Sequence, residues 1–255
     1  MDSWLYKRDI SGVDPSGLER SFLPTLFDKY IDATNELVRK GFKECTPLYL
    51  LNKVSTVVYL LEGLLDTMTG EKKTNDILEN LFIFCVVWAF GGPMISDKSK
   101  DYRKYFNEAF QSSFSGRFPK DLSCFDCVWS FSEDTFVEWT SRVPAYVPIP
   151  IGGGQGETPF TSLFVPTADT VRLTFLMDTL ARKGKHAMLV GSGSGKTSIV
   201  NQYLGSLDKD TDGFVTGTIN MSYYTDSKRL QQEIELPIDK VLYQSLDHNG
   251  FICPL

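Results

Sequence analysis

Apolar residues recur at three- and four-residue steps through the first part of the chain. Phe22, Leu23, Leu26, Phe27, Tyr30, Ile31, Leu37 and Val38 fall on one face of a helix, because about 3.6 residues make a turn. Thr46 and Pro47 offer an N-cap and a first-position proline. Leu50, Leu51, Val54, Val57, Val58, Leu61, Leu64 and Leu65 then repeat the period, which predicts a second helix. A third is predicted from near Asn75 to the stop at Gly91-Gly92-Pro93, a combination that ends helices. From Leu81 to Phe90 it is apolar on every side, which marks it as the central, most buried element. Tyr102, Tyr105, Phe106, Ala109 and Phe110 predict a fourth helix over residues 101–114. Residues 118–146 are rich in aromatics with no single period, and read as short strands or turns.

The rhythm changes at residues 148–159, a run of proline and glycine that reads as a linker. Beyond it, Leu173, Leu176, Met177 and Leu180 predict a helix ending near Gly184. Residues 187–190 read as a short apolar strand, residues 191–197 as a glycine-rich turn, and Ile199, Val200, Tyr203 and Leu204 as the face of a following helix. A second strand is expected over residues 214–221, then a short polar helix capped by Asp226 or Ser227. Helix, strand, turn, helix, strand is the opening of an α/β domain. The expected fold class is therefore α + α/β, a helical subdomain followed by an incomplete α/β subdomain.

Composition narrows the function classes. The 255 residues are 42% hydrophobic and carry 26 basic against 32 acidic side chains, an ordinary globular balance with no basic stripe for nucleic acid. The longest apolar run, ten residues over 81–90, is half of the roughly 20 that a membrane span needs. The first nine residues hold no apolar stretch for a signal peptide. Five cysteines at unpatterned spacing fit a reducing compartment and no disulfide framework. The chain is thus expected to be soluble and intracellular, with neither nucleic acid nor membrane as partner.

The chemistry concentrates at Gly191, Ser192, Gly193, Ser194, Gly195, Lys196, Thr197 and Ser198. An apolar strand running into glycines and then Gly-Lys-Thr at a helix start is a phosphate-loop arrangement. Glycines let successive N–H groups turn toward an anion, and the helix start adds unpaired donors. Lys196 is expected to set its ammonium against the outer phosphates, and Thr197 to ligate Mg²⁺ through its hydroxyl. The loop has three residues, Ser192, Gly193 and Ser194, between the first glycine and Gly-Lys, where the usual pattern has four. Read without its neighbours, the same stretch is also a flexible Gly/Ser turn.

Other candidates read as structure. Cys124 and Cys127 form a C-x-x-C with no second pair, and the histidines are His186 and His248, too few ligands for zinc. His186 is expected at the surface. Asp126, Glu133, Asp134 and Glu138 read as a solvated acidic face, and Trp129, Phe131, Phe136 and Trp139 as core. No catalytic residue is assigned.

The order of motifs resembles the dynein heavy chains. Residues 164–172 (Phe-Val-Pro-Thr-Ala-Asp-Thr-Val-Arg), the phosphate loop, and residues 218–222 look like the third AAA+ module of that family. Residues 26–30 and the Val87-Trp88-Ala89-Phe90-Gly91-Gly92 stretch resemble the helical lid closing the second module, and residues 223–227 are similar to the axonemal branch. The resemblance covers roughly residues 20–240. It implies a helical AAA+ lid over 1–147, a linker over 148–163, the start of a P-loop AAA+ domain over 164–240 and a divergent tail over 241–255. It also implies ATP or ADP with Mg²⁺ as cofactors, with Val165, Pro166 and Thr167 beside the adenine. The family's ring of six modules moves toward microtubule minus ends by hydrolysing ATP, chiefly at the first site, while the third site is regulatory.

The implied partners are the remainder of the heavy-chain ring, dynein complex subunits and, through the full-length parent, microtubules. The implied location is the cytoplasm, cytoskeleton and ciliary axoneme. After Lys240 the sequence departs from the family's pattern and reads as an alternative or mispredicted transcript end. Without the acidic strand, sensor and arginine finger, this stretch is expected to bind nucleotide rather than hydrolyse it. The alternative is a non-enzymatic product acting as a structural or interaction domain.

Overall fold

The computed structural model describes residues 2–10, 17–39, 41–68, 73–98, 100–114, 117–119, 121–145, 147, 163–208 and 212–245. Five helices, α1 (Asp2–Ile10), α2 (Leu18–Arg39), α3 (Leu50–Thr67), α4 (Asn75–Val86) and α5 (Tyr102–Ser113), precede a hairpin of β1 (Cys127–Ser130) and β2 (Thr135–Glu138). A 3-10 turn over Trp139–Arg142 follows, then α6 (Ala168–Ala181), α7 (Lys196–Ser206) and α8 (Ser227–Ser245). The chain divides into two compact units, residues 1–196 and 197–255.

In the first unit α4 is central, as its uniform apolarity requires: every residue from Leu78 to Gly91 is buried. Thr74 caps it, accepting the Ile77 N–H at 3.3 Å. Phe82 meets the edge of Phe27 on α2 with ring centres 4.8 Å apart, and Leu61, Leu65 and Val57 pack from α3. Past Val86 the helix widens into a π turn over Val87–Gly91, a feature that periodicity does not reveal. Packing accounts for it. A Cβ at Gly91 would lie 2.6 Å from the Phe125 ring and 2.7 Å from Phe106, so the backbone itself fills the space between two aromatics.

Three sequence expectations need correction here. The second helix starts at Leu50 with Tyr49 as N-cap, not at Thr46-Pro47. The preceding segment is held elsewhere: Cys45 N–H donates to Pro93 carbonyl at 2.9 Å, Glu44 bridges Met94, and the Glu44 carboxylate pairs with buried Lys53. Helix α1 was not expected, and Leu5 seats it in the core. The last helix, capped by Asp226 accepting the Arg229 N–H at 2.7 Å, runs 19 residues rather than a few. The hairpin over 127–138 fits the expected short strands, pairing Val128 with Val137 and Trp129 with Phe136. The linker over 148–159 lies outside the described residues, as do positions 246–255 of the tail.

Helix α6 leads toward the glycine loop and is fixed to the helical core at several points. Thr167 and Thr170 form a reciprocal capping box at its start, each side chain satisfying the other's N–H. Gly63 of α3 lies so close that a Cβ there would stand 2.5 Å from the Thr179 methyl and 2.8 Å from its carbonyl oxygen. Phe175 packs on Trp139 with ring centres 5.4 Å apart. Arg172 donates to the Phe125 carbonyl and the Asp126 carboxylate, both at 3.0 Å. At the far end Asp66 accepts from Arg8 at 2.9 Å and pairs with Lys183. Burial alone would raise the Asp66 pKa; the hydrogen bonds from Lys183 and Arg8 outweigh it and hold the carboxyl below its ordinary range.

Candidate functional site

Past the end of α6 the chain turns at Gly184, whose φ of +61° is the left-handed conformation that glycine adopts without strain. Residues 185–190 then run to Gly191 without entering a sheet, and Met188 and Val190 are exposed. Residues 213–222 likewise form no ladder. This corrects the expectation of two strands. Among the described residues β1 and β2 are the paired strands. Backbone hydrogen bonds and a covered face stabilise a strand, and short apolar segments have neither until others align beside them.

The glycine turn itself forms as its residue types dictate. Gly193 and Gly195 both take positive φ, +61° and +70°, where an L side chain is strained. They reverse the chain on either side of Ser194 and deliver Lys196 as the first residue of α7. The first turn of any helix leaves amide donors without intrahelical acceptors and carries the positive end of the dipole. The Lys196 ammonium folds back on the loop, donating to the Gly191 carbonyl and standing 3.5 Å from Ser194 Oγ. A Cβ at Gly191 would lie 2.8 Å from Ser194 Oγ and 3.9 Å from Lys196 Nζ. The first glycine, the serine hydroxyl and the ammonium therefore meet at one point.

These groups fit an anion. Gly191 through Gly195 are exposed and Lys196 is half-buried, so a ligand can reach the loop and its ammonium. Thr197 and Ser198 follow on exposed positions of α7, and Ile199 and Tyr203 are its buried residues. The other expected ligands stand before α6: Val165 is exposed, Pro166 is half-buried, and Thr167 spends its hydroxyl on the helix cap.

The remaining candidates are placed as core or surface. Cys124 and Cys127 are buried. Burial pushes both thiols up, Cys127 to about 12, so neither is a thiolate near neutrality. His186 is exposed, as are Asp126, Glu133, Asp134 and Glu138. Trp129, Phe136 and Trp139 are buried and Phe131 half-buried. Sequence reading missed a cavity of about 380 Å³ lined by Arg103, Lys104, Phe125 and Arg172. Arg103 donates to the Gly92 carbonyl at 2.7 Å, and its pKa is lowered by burial and then by nearby Arg172. Asp101 and Asp126 share the lining and Asp169 pairs with Arg172, so the three cations face three carboxylates. No periodicity or motif announces this cluster, because its members come from three separate segments.

Comparison with known proteins finds matches to two family models. Residues 23–141 match the dynein heavy chain AAA lid domain, and residues 154–246 match the P-loop containing dynein motor region. The chain is similar to the dynein beta chain of the flagellar outer arm of Chlamydomonas reinhardtii, 35% identical over 243 residues, 93% of this chain and 5% of that protein. It is similar to dynein axonemal heavy chain 17 of Homo sapiens, 32% identical over 94% of this chain and 5% of that one. The ciliary dynein beta chain of Tripneustes gratilla is 32% identical over 93% of this chain, again 5% of the relative. The chain thus spans about a twentieth of the length of these relatives.

Proposed function

The chain belongs to the dynein heavy-chain family, and from that premise we propose that residues 191–197 are the phosphate end of a regulatory AAA+ nucleotide site. The observation that carries this reading is the convergence of the Lys196 ammonium on Gly191 and Ser194 at the start of α7. The backbone donors of the loop and the first turn of α7 hold the phosphates of ATP or ADP, and Lys196 neutralises their charge. Thr197 supplies the hydroxyl for Mg²⁺. Val165, Pro166 and Thr167 flank the adenine. The domain bounds follow the sequence reading: lid over 1–147, linker over 148–163, P-loop part over 164–240, tail over 241–255.

Within the parent motor, the site's nucleotide state acts on the adjoining lid through α6, whose attachment to α3 at Gly63 and Thr179 makes the two move as one piece. Its partners are the rest of the ring and the dynein complex, with microtubules engaged by the whole motor. Relatives named for the flagellar outer arm and the axoneme support a place in the ciliary axoneme. The second reading, a packing or interaction unit with no nucleotide site, draws on the exposure of Met188, Val190, Val215 and Met221, which leaves the expected sheet unformed.

One preparation separates the two. Equilibrium binding of labelled Mg-ADP and Mg-ATP to the 255-residue chain is measured beside phosphate release. We expect saturable binding and no turnover above background, since hydrolysis needs a positioned base and transition-state charge stabilisation beyond a phosphate cradle. Turnover that disappears in Lys196→Ala would refute the regulatory assignment; absence of binding would favour the second reading.

A further inference from the structure

Resting on the phosphate-site reading above, we propose that the Ser194 hydroxyl is itself a phosphate ligand, standing in for the peptide donor that the shortened loop lacks. A loop with three residues between Gly191 and Gly195 offers one inward N–H fewer than the four-residue pattern. Ser194 sits where that deficit falls. Its Oγ is 3.5 Å from the Lys196 ammonium, and it lies over the bare Cα of Gly191, within 2.8 Å of where a Cβ would be. Left-handed glycines on both sides, Gly193 and Gly195, fix the direction of the serine between them. Among the described residues the hydroxyl accepts from Lys196 and donates to no group, so its proton is uncommitted. An O–H donor beside an ammonium on an exposed turn is complementary to a phosphate oxygen, which accepts from both. The glycine at 191 has a second reason to be there: any side chain would displace the hydroxyl.

The test is equilibrium binding of labelled Mg-ADP to the full chain and its variants, with thermal melts to confirm equal folding. Ser194→Ala is expected to weaken binding about tenfold or more, the worth of a hydrogen bond to a charged acceptor. Ser194→Thr keeps the hydroxyl and is expected to stay within about threefold of the parent. Inserting one alanine between Ser192 and Gly193 restores a peptide donor, and in that background Ser194→Ala is expected to lose most of its effect. If Ser194→Ala binds like the parent while Lys196→Ala does not, the hydroxyl is no ligand and the inference falls alone. If the parent takes up no ADP, or if Lys196→Ala leaves binding unchanged, the phosphate-site reading falls and this inference with it.

Discussion

Trp139→Ala is expected to destabilise the first unit by about 3–5 kcal/mol, the usual cost of truncating a large buried aromatic. Trp139 is fully buried, and its indole N–H donates to the Phe125 carbonyl at 3.1 Å. The ring also touches Phe84 of α4 and Phe175 of α6, with centres 6.4 Å and 5.4 Å apart. One truncation therefore opens a void against the central helix and loosens α6 together. Urea unfolding followed by tryptophan-independent far-UV dichroism should show the midpoint fall sharply. Exposed Glu133, in the turn between β1 and β2, provides the comparison, since Glu133→Ala should move stability by no more than about 0.5 kcal/mol. Equal effects at the two positions would mean that the hairpin and 3-10 turn do not close the core.

The second large effect is on binding. Lys196→Ala is expected to weaken Mg-ADP binding about a hundredfold or more, because it deletes a charge-assisted bond to phosphate and the contact that draws the loop onto the Gly191 carbonyl. Lys185→Ala is the matched control. Its ammonium rests 4.5 Å from the centre of the Tyr59 ring, and its loss should leave affinity unchanged. Equal losses in both variants would indicate non-specific attraction of phosphate to surface lysines.

How much of this was legible in the sequence follows from where each signal resides. The period of apolar residues located α2 to α5 because burial on one face is a local property of a helix. The all-apolar run over 81–90 identified the most buried helix for the same reason. The π turn at Val87–Gly91 stayed hidden because its cause is tertiary, the two rings of Phe106 and Phe125 closing on Gly91. The start of α3 was misplaced because Glu44 and Cys45 are engaged by residues 93–94, about fifty positions on. Residues 187–190 and 214–221 have strand composition, yet a strand exists only through its neighbours. The glycine turn was legible in full, since positive φ at Gly193 and Gly195 is written into the residue type. What spacing alone did not reveal is which side chains meet there. The approach of Ser194 to Gly191 and Lys196 depends on the turn those glycines make.

The central claim, that phosphate is held by the amide donors between Gly191 and Thr197, is tested most directly by amide NMR of the isotope-labelled chain titrated with Mg-ADP. The account predicts that the N–H signals of Gly193, Ser194, Gly195, Lys196 and Thr197 move furthest and saturate together, with inorganic phosphate shifting the same group at higher concentration. Shifts centred on other residues, with these five amides unmoved at saturation, would contradict it.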